Sequence, residues 1–433
     1  MKKSFFLLTI LFVSAVSFAQ TENDSVKTET KAAKFFKGLT LGGYGEVAYS
    51  RNFYSDNIHR YSHAEDYRNA PSHGRFDIPH VVVLLGYEFG KGWRFSSEIE
   101  FEHGGTEVAI ELETEEAGEY ESEIERGGEI VLEQFWIEKT FSKALNLRFG
   151  HIIVPVGFTN MHHLPTEFFT VYRPEGENTI FPCTWHETGI SLWGKTKGWR
   201  YEAAFLPALS SEMFNNKNWA NGASASPYEF RVANKYAGAA RIDNYSVKGL
   251  RLGLSGYYGH TFNNSIQPTT AEKYKNVKGQ VVIGSFDFHY QNYGFTARGY
   301  FDYGHLSDAE IISVYNKSLQ KNSPFPRTNV ASDVLVSGIE AGFDFFSLSN
   351  NQKLQKQQFF LFGRYDFYDS MYKTSGSIQK DGWSKKQILT AGINYYPIKQ
   401  VAIKAEYSYR KLQQPYNSEP SINIGVVYAG MFK

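Results

Sequence analysis

From Leu41 to the C-terminus the chain repeats short stretches in which apolar and polar residues take turns. These stretches are joined alternately by a tight turn and a long polar loop. GWRFSSEIEFE (92–102) places Trp93, Phe95, Ile99 and Phe101 on one face and Arg94, Ser96, Glu98, Glu100 and Glu102 on the other. FTARGYFD (295–302) and VAIKAEYSYR (401–410) obey the same period of two. Sixteen such stretches are counted, centred near residues 45, 81, 97, 134, 150, 190, 202, 242, 255, 284, 298, 340, 363, 391, 406 and 426. Short links at 89–92, 141–144, 195–198, 248–249, 291–294 and 397–400, with a longer one at 347–356, alternate with polar loops. The loops lie near 51–73, 104–127, 156–185, 207–236, 263–278, 304–331, 369–384 and 413–419.

An even number of strands with strictly alternating connections predicts a sixteen-stranded antiparallel transmembrane β-barrel. Its tight turns face the periplasm and its long loops lie outside. Strands of about 9 to 11 residues, tilted, cross the hydrocarbon. Closure alone satisfies every backbone N–H and C=O in lipid. A soluble two-sheet sandwich also has period-two strands, but it explains neither the loop asymmetry nor the 29 Tyr and 35 Phe. Aromatics recur at strand ends, among them Tyr49, Tyr87, Trp93, Tyr290 and Tyr395, where barrel girdles meet headgroups. The last strand ends at Phe432, one residue short of the C-terminus, close to the terminal aromatic of exported barrels.

The start of the chain fits export. Lys2 and Lys3 precede an apolar run from Phe5 to Val16 and a small-x-small site at Ser17–Ala19, so residues 1–20 read as a signal peptide. The run is too short for a membrane anchor, which needs roughly 20 residues. Residues 21–38 are polar and Lys-rich and read as a flexible periplasmic lead-in, leaving 39–433 as the barrel. Forty-five basic and 45 acidic side chains balance, which removes any case from composition for a nucleic-acid partner.

A barrel of this strand number holds a water-filled channel, with outer-membrane lipid and lipopolysaccharide outside and small hydrophilic solutes or ions inside. Parity turns Arg94, Arg148, Arg200, Arg251 and Arg298 toward the lumen, together with Glu98 and Glu100. Such mixed charges either pair across strands and stiffen the wall or set selectivity. Strand four is ambiguous, because Val131, Phe135 and Ile137 compete with Ile130, Leu132 and Trp136 for the lipid face. Loop 104–127, with ETEEAGEYESEIE, is strongly acidic.

Reaction chemistry finds little support. His186-Glu187 lacks the second His at position 190 that a zincin helix requires, and no GxSxG occurs. Cys183 stands alone and reads as a packed small hydrophobe. His151, His162, His163 and His186 could supply metal ligands, but nothing fixes their spacing, so no metal or cofactor is predicted.

The stretches GYGEVAY (43–49), RFDIPHVVVLLGYEF (75–89), EIVLEQFWIEKTF (129–141), LNLRFGHIIVPVGFTN (145–160) and RPEGENTIFPCTWHETGISLWG (173–194) together resemble phosphate-selective O and P type porins in their Bacteroidota form. The resemblance is strongest over about residues 40–206. It implies a homotrimeric porin whose third long loop, here 156–185, folds into the barrel and narrows it. It also implies passage of anions, phosphate among them, past a basic constriction. This chain departs from that pattern, since Arg173 is the only Arg or Lys in 156–185, beside His162 and His163 and against Glu167, Glu175 and Glu177. Arg173 then either sets a fixed charge at the narrowest point or anchors the loop on a wall carboxylate such as Glu133. Trp185 marks the return to the wall, after which Thr188, Ile190 and Leu192 face lipid.

Overall fold

A computed structural model describes residues 36–102, 108–113, 121–126, 130–224, 230–319 and 328–432. The predicted signal peptide, most of the lead-in and much of the acidic loop lie outside the described residues. The strands run β1 (Leu39–Asn52), β2 (His73–Asp77), β3 (His80–Gly90), β4 (Trp93–Glu102), β5 (Val108–Glu113), β6 (Glu121–Arg126), β7 (Ile130–Ser142), β8 (Leu145–Ile153), β9 (His186–Thr196) and β10 (Trp199–Pro207). They continue through β11 (Tyr236–Asn244), β12 (Leu250–His260), β13 (Gln280–Asn292), β14 (Phe295–Leu306), β15 (Asp333–Asp344), β16 (Gln358–Lys373), β17 (Lys385–Ile398), β18 (Val401–Leu412) and β19 (Glu419–Met431). Among the described residues, two helices of more than one turn, α1 (Glu175–Ile180) and α2 (Ala309–Ser318), lie in the long connections.

Seventeen strand segments make one sheet that closes where β1 pairs with β19. Segments β2 and β3 both pair with β1 and are parted at Ile78-Pro79, so the wall is sixteen strands. Pro79 offers no N–H, which accounts for the break. Each predicted strand centre falls in an observed strand. Within the acidic loop, the described residues form the separate β5–β6 hairpin. Outer positions carry exposed apolar side chains, such as Ile190, Leu192, Val282, Phe286, Phe301, Leu361, Ile403 and Tyr407. Inner positions alternate with them: Asp287, Asp302 and Lys404 are fully buried.

Strand β7 resolves its own ambiguity with a β-bulge. Glu98 pairs with Gln134 but Ile99 pairs with Leu132, leaving Glu133 as the extra residue. Ile130 and Leu132 face out before the bulge, and Phe135 and Ile137 face out after it. Both competing sets were therefore half right, because the bulge reverses the parity within one strand. It also turns Glu133, Trp136 and Glu138 inward, where all three are buried.

Candidate functional site: the barrel interior

The wall charges form a continuous belt. Arg94 lies 2.9 Å from Glu138, and Arg148 lies 3.0 Å from Glu138 and 3.4 Å from Glu202. Arg200 pairs with Glu202 and reaches Asp243 at 3.6 Å. Arg251 bridges Asp243 at 3.0 Å and Asp287 at 2.7 Å, sharing both with Arg241. A second knot joins Arg298 and Arg364 to Glu340 at 2.6 and 2.9 Å, with Asp366 on Arg364 at 2.6 Å. Carboxylates therefore partner every predicted lumen arginine, with five arginines sharing four carboxylates in the belt and two sharing two in the knot. Indole rings support the belt, with the Arg148 guanidinium 4.5 Å from the centre of the Trp136 ring. The side chains of Arg94, Arg148 and Arg200 keep 35, 13 and 17% of their exposure, so this part of the lining meets water.

Segment 154–185 enters the interior and touches strands around the circumference. The Gly157 N–H donates to Ser255 on β12, and its carbonyl accepts from Arg241 on β11. Gly157 has φ +84°, and a Cβ there would sit 2.8 Å from Glu177, so glycine suits this crossing. Glu177 caps the local fold by accepting from the Phe158 N–H, 2.7 Å away, and from the Thr159 N–H. Burial pushes the Glu177 carboxyl above its ordinary value, and the two N–H donors oppose that. Farther along, the Lys404 ammonium donates to the carbonyls of Pro165 (2.6 Å), Phe168 (2.9 Å) and Thr170 (2.8 Å). The Asn394 side chain donates to the Phe169 carbonyl at 2.9 Å, and the Val171 N–H donates to Glu406 at 2.9 Å. Tyr172 reaches Ser50 on β1 at 2.9 Å. Glu175 is held by Tyr368 and Arg410. Burial works against its ionised form, but Arg410 and Lys386 hold its carboxyl below the usual range.

Arg173 takes the anchoring role rather than that of a free charge. It lies 3.7 Å from Glu100 and donates to the Tyr44 hydroxyl at 3.3 Å, with 6% of its side chain exposed. The expected partner Glu133 instead accepts from Thr184. His163 is buried against Asn160 and Glu98, whereas His162 pairs at 3.3 Å with Glu167 on the more exposed side of the segment. Of the residues predicted to shape the lumen, Arg94, Arg148, Arg200 and Arg251 thus gather in the belt and Arg298 in the knot. Glu98, Glu100, His163 and Arg173 meet where the segment touches β4. His186 bonds His151 at 2.5 Å, an arrangement that spacing alone did not reveal.

The water-filled channel expected from the strand number does not extend through this end: toward the long loops the inner face is apolar, with Val281, Ile283, Leu306, Val334 and Val336 fully buried. They pack with Val154, Val156, Ile180, Phe181 and Trp185 of the segment, and with Phe214, Trp219 and Ile312 from two further connections. Trp219 donates its indole N–H to the Ala331 carbonyl at 3.2 Å and stacks edge-on against Phe214. Among the described residues, Phe262, Tyr274 and Ile378 from two more connections join the same cluster, so several connections, not one, fill this end. Period-two parity sees a wall position as in or out, and cannot tell whether "in" means water or another loop.

A closed antiparallel sheet with an apolar outer surface and a charged interior defines a transmembrane β-barrel. The chain is an outer-membrane barrel protein of the Gram-negative kind. Its fold is that of the anion-selective porin from Comamonas acidovorans, with TM-score 0.50, 11% identity, and coverage of 90% of this chain and 99% of that one. It is similarly matched by Salmonella typhi OmpF in complex with daunomycin, with TM-score 0.50, 8% identity, and coverage of 92% and 99%. At such identities the likeness is one of fold. In sequence the chain is 29% identical over 390 residues to a protein of Aquifex aeolicus described as uncharacterized, covering 87% of this chain and 77% of that one. No protein-family model matches the chain.

Proposed function

We propose that the protein is a porin, a passive channel for small hydrophilic solutes or ions, with segment 154–185 as its constriction. The observation that carries this reading is the belt of Arg94, Arg148 and Arg200, whose partly exposed side chains line the interior of a closed sixteen-strand wall. Since each arginine shares carboxylates, the lining favours neither ion sign strongly, and kinship to phosphate-selective O and P type porins is proposed for architecture without their anion preference. Residues 1–20 serve as export signal and 21–38 as lead-in. The short turns face the periplasm, the apolar band meets lipid and lipopolysaccharide, and the barrel assembles as a homotrimer.

Planar-bilayer recording tests the reading. Discrete conductance steps with a small reversal potential in a salt gradient are expected. Strong anion preference that vanishes on changing Arg148, Arg173 or Arg298 to Ala would defeat the weak-selectivity claim. A second reading is favoured by the wall-to-wall hydrogen bonding of segment 154–185: a closed barrel acting as a receptor or as a partner in an envelope complex. Electrical silence of the correctly folded protein would select it.

A further inference from the structure

We propose that Glu98, Glu133 and His163 bind one transition-metal dication of the zinc type, which clamps the inward segment to the wall. The three come from separate elements: Glu98 from β4, Glu133 from the β7 bulge and His163 from the segment. One ligand atom of each lies within 4.8 Å of the others, and the residues are only 3, 1 and 8% exposed.

The protonation of the imidazole follows from its neighbours. His163 Nδ1 lies 2.9 Å from the Asn160 carbonyl oxygen, which can only accept, so Nδ1 carries the hydrogen. Nε2 is then the nitrogen left to ligate a metal, and it faces Glu98 Oε1 at 3.7 Å. Glu133 Oε2 is buried and accepts no hydrogen bond in the described structure. The hydrogen-bond donors of the cluster serve the outer oxygens: Gln134 donates to Glu98 Oε2 and Thr184 to Glu133 Oε1. Outer hydrogen bonds of this kind, including a ligand histidine donating its second N–H to a backbone carbonyl, orient metal ligands.

Charge leads to the same place. Glu98, Glu100 and Glu133 are all buried, and Arg173 pairs with Glu100, leaving the two carboxylates that face His163 to be balanced. A dication balances both. One imidazole nitrogen with carboxylate oxygens suits zinc, whereas calcium and magnesium take oxygen ligands.

The test is metal titration of the purified, folded full chain in detergent, using Zn2+ in competition with a chromophoric chelator. One ion per chain is expected. Affinity should fall ~10- to 100-fold in Thr184→Val, which removes an outer hydrogen bond, and further in Glu133→Gln and His163→Ala. His59→Ala, in an external histidine pair, should leave it unchanged. Absence of binding, or binding unaltered by Glu133→Gln and His163→Ala, overturns the proposal. Should those variants fail to fold, the wild-type chain carrying Co2+ decides. An intense visible band from a low-coordinate site supports it, and a pale spectrum like that of the hydrated ion overturns it. Because the readout is metal, its failure is distinct from failure of the channel reading.

Discussion

Lys404 caps three carbonyls in the middle of segment 154–185, where Asn394 and Glu406 add one contact each, and its loss should be felt as conductance. The fully buried ammonium donates to three carbonyls and lies over the Phe168 ring, 4.4 Å from its centre. Lys404→Met keeps most of the stem and removes all three donors. Charge-assisted hydrogen bonds contribute about 1.5 to 3 kcal/mol each. Against their sum stands the desolvation of a buried ammonium, which costs several kcal/mol. A net loss of about 3 to 5 kcal/mol in local closure follows, comparable to breaking other buried charge contacts. At about 1.4 kcal/mol per tenfold, the population with residues 165–170 detached rises by roughly two to four orders of magnitude. Single-channel recording of Lys404→Met should show larger or noisier steps than wild type, and proteolysis near Pro165 should quicken. Steps and cleavage rate identical to wild type, in a variant folded by heat-modifiable mobility, would refute the claim that this ammonium restrains the constriction.

Three further outcomes are expected. Glu340→Gln leaves Arg298 without its carboxylate and Arg364 with one of two, so it should lower stability by about 3 to 5 kcal/mol in a denaturant midpoint series. Burial alone would raise the Glu167 carboxyl, but its bond to His162 holds it below the ordinary 4.5. A depressed folded value means the stabilising contribution is present above 4.5 and lost as pH falls through the folded value, so channel noise should grow only on acidification below about 4.5. Burial pushes the Cys183 thiol up to about 12, so maleimide labelling at pH 7.5 should be far slower than for a free thiol, and unfolding should restore it.

Strand positions were legible because an outer-membrane barrel writes its geometry as alternation, and Phe301 beside Asp302 or Ile403 beside Lys404 could be assigned without a structure. The β7 bulge was visible only as conflict, since a single extra residue at Glu133 looks in sequence like two rival parities. The ion-pair belt follows from parity plus charge, yet which carboxylate meets which arginine depends on stagger between strands. Arg173 shows the limit of that reasoning: an anchoring carboxylate such as Glu133 was expected, and only the placement of the β7 bulge against β4 leaves Glu100 as the partner. The apolar filling by Trp219 and Ile312 was hidden because both sit in connections whose average character is polar.

The seam between β1 and β19 and the contacts of segment 154–185 together impose an order of assembly. The carbonyls capped by Lys404 precede it by 234 to 239 residues, and Glu175 waits as long for Arg410. Such distant pairings form late. The middle of the segment therefore gains its contacts with Lys404, Glu406 and Arg410 only when β18 is in place. The same strand pairs with β19, the partner of β1, so the part of the wall that closes the cylinder also completes its contents.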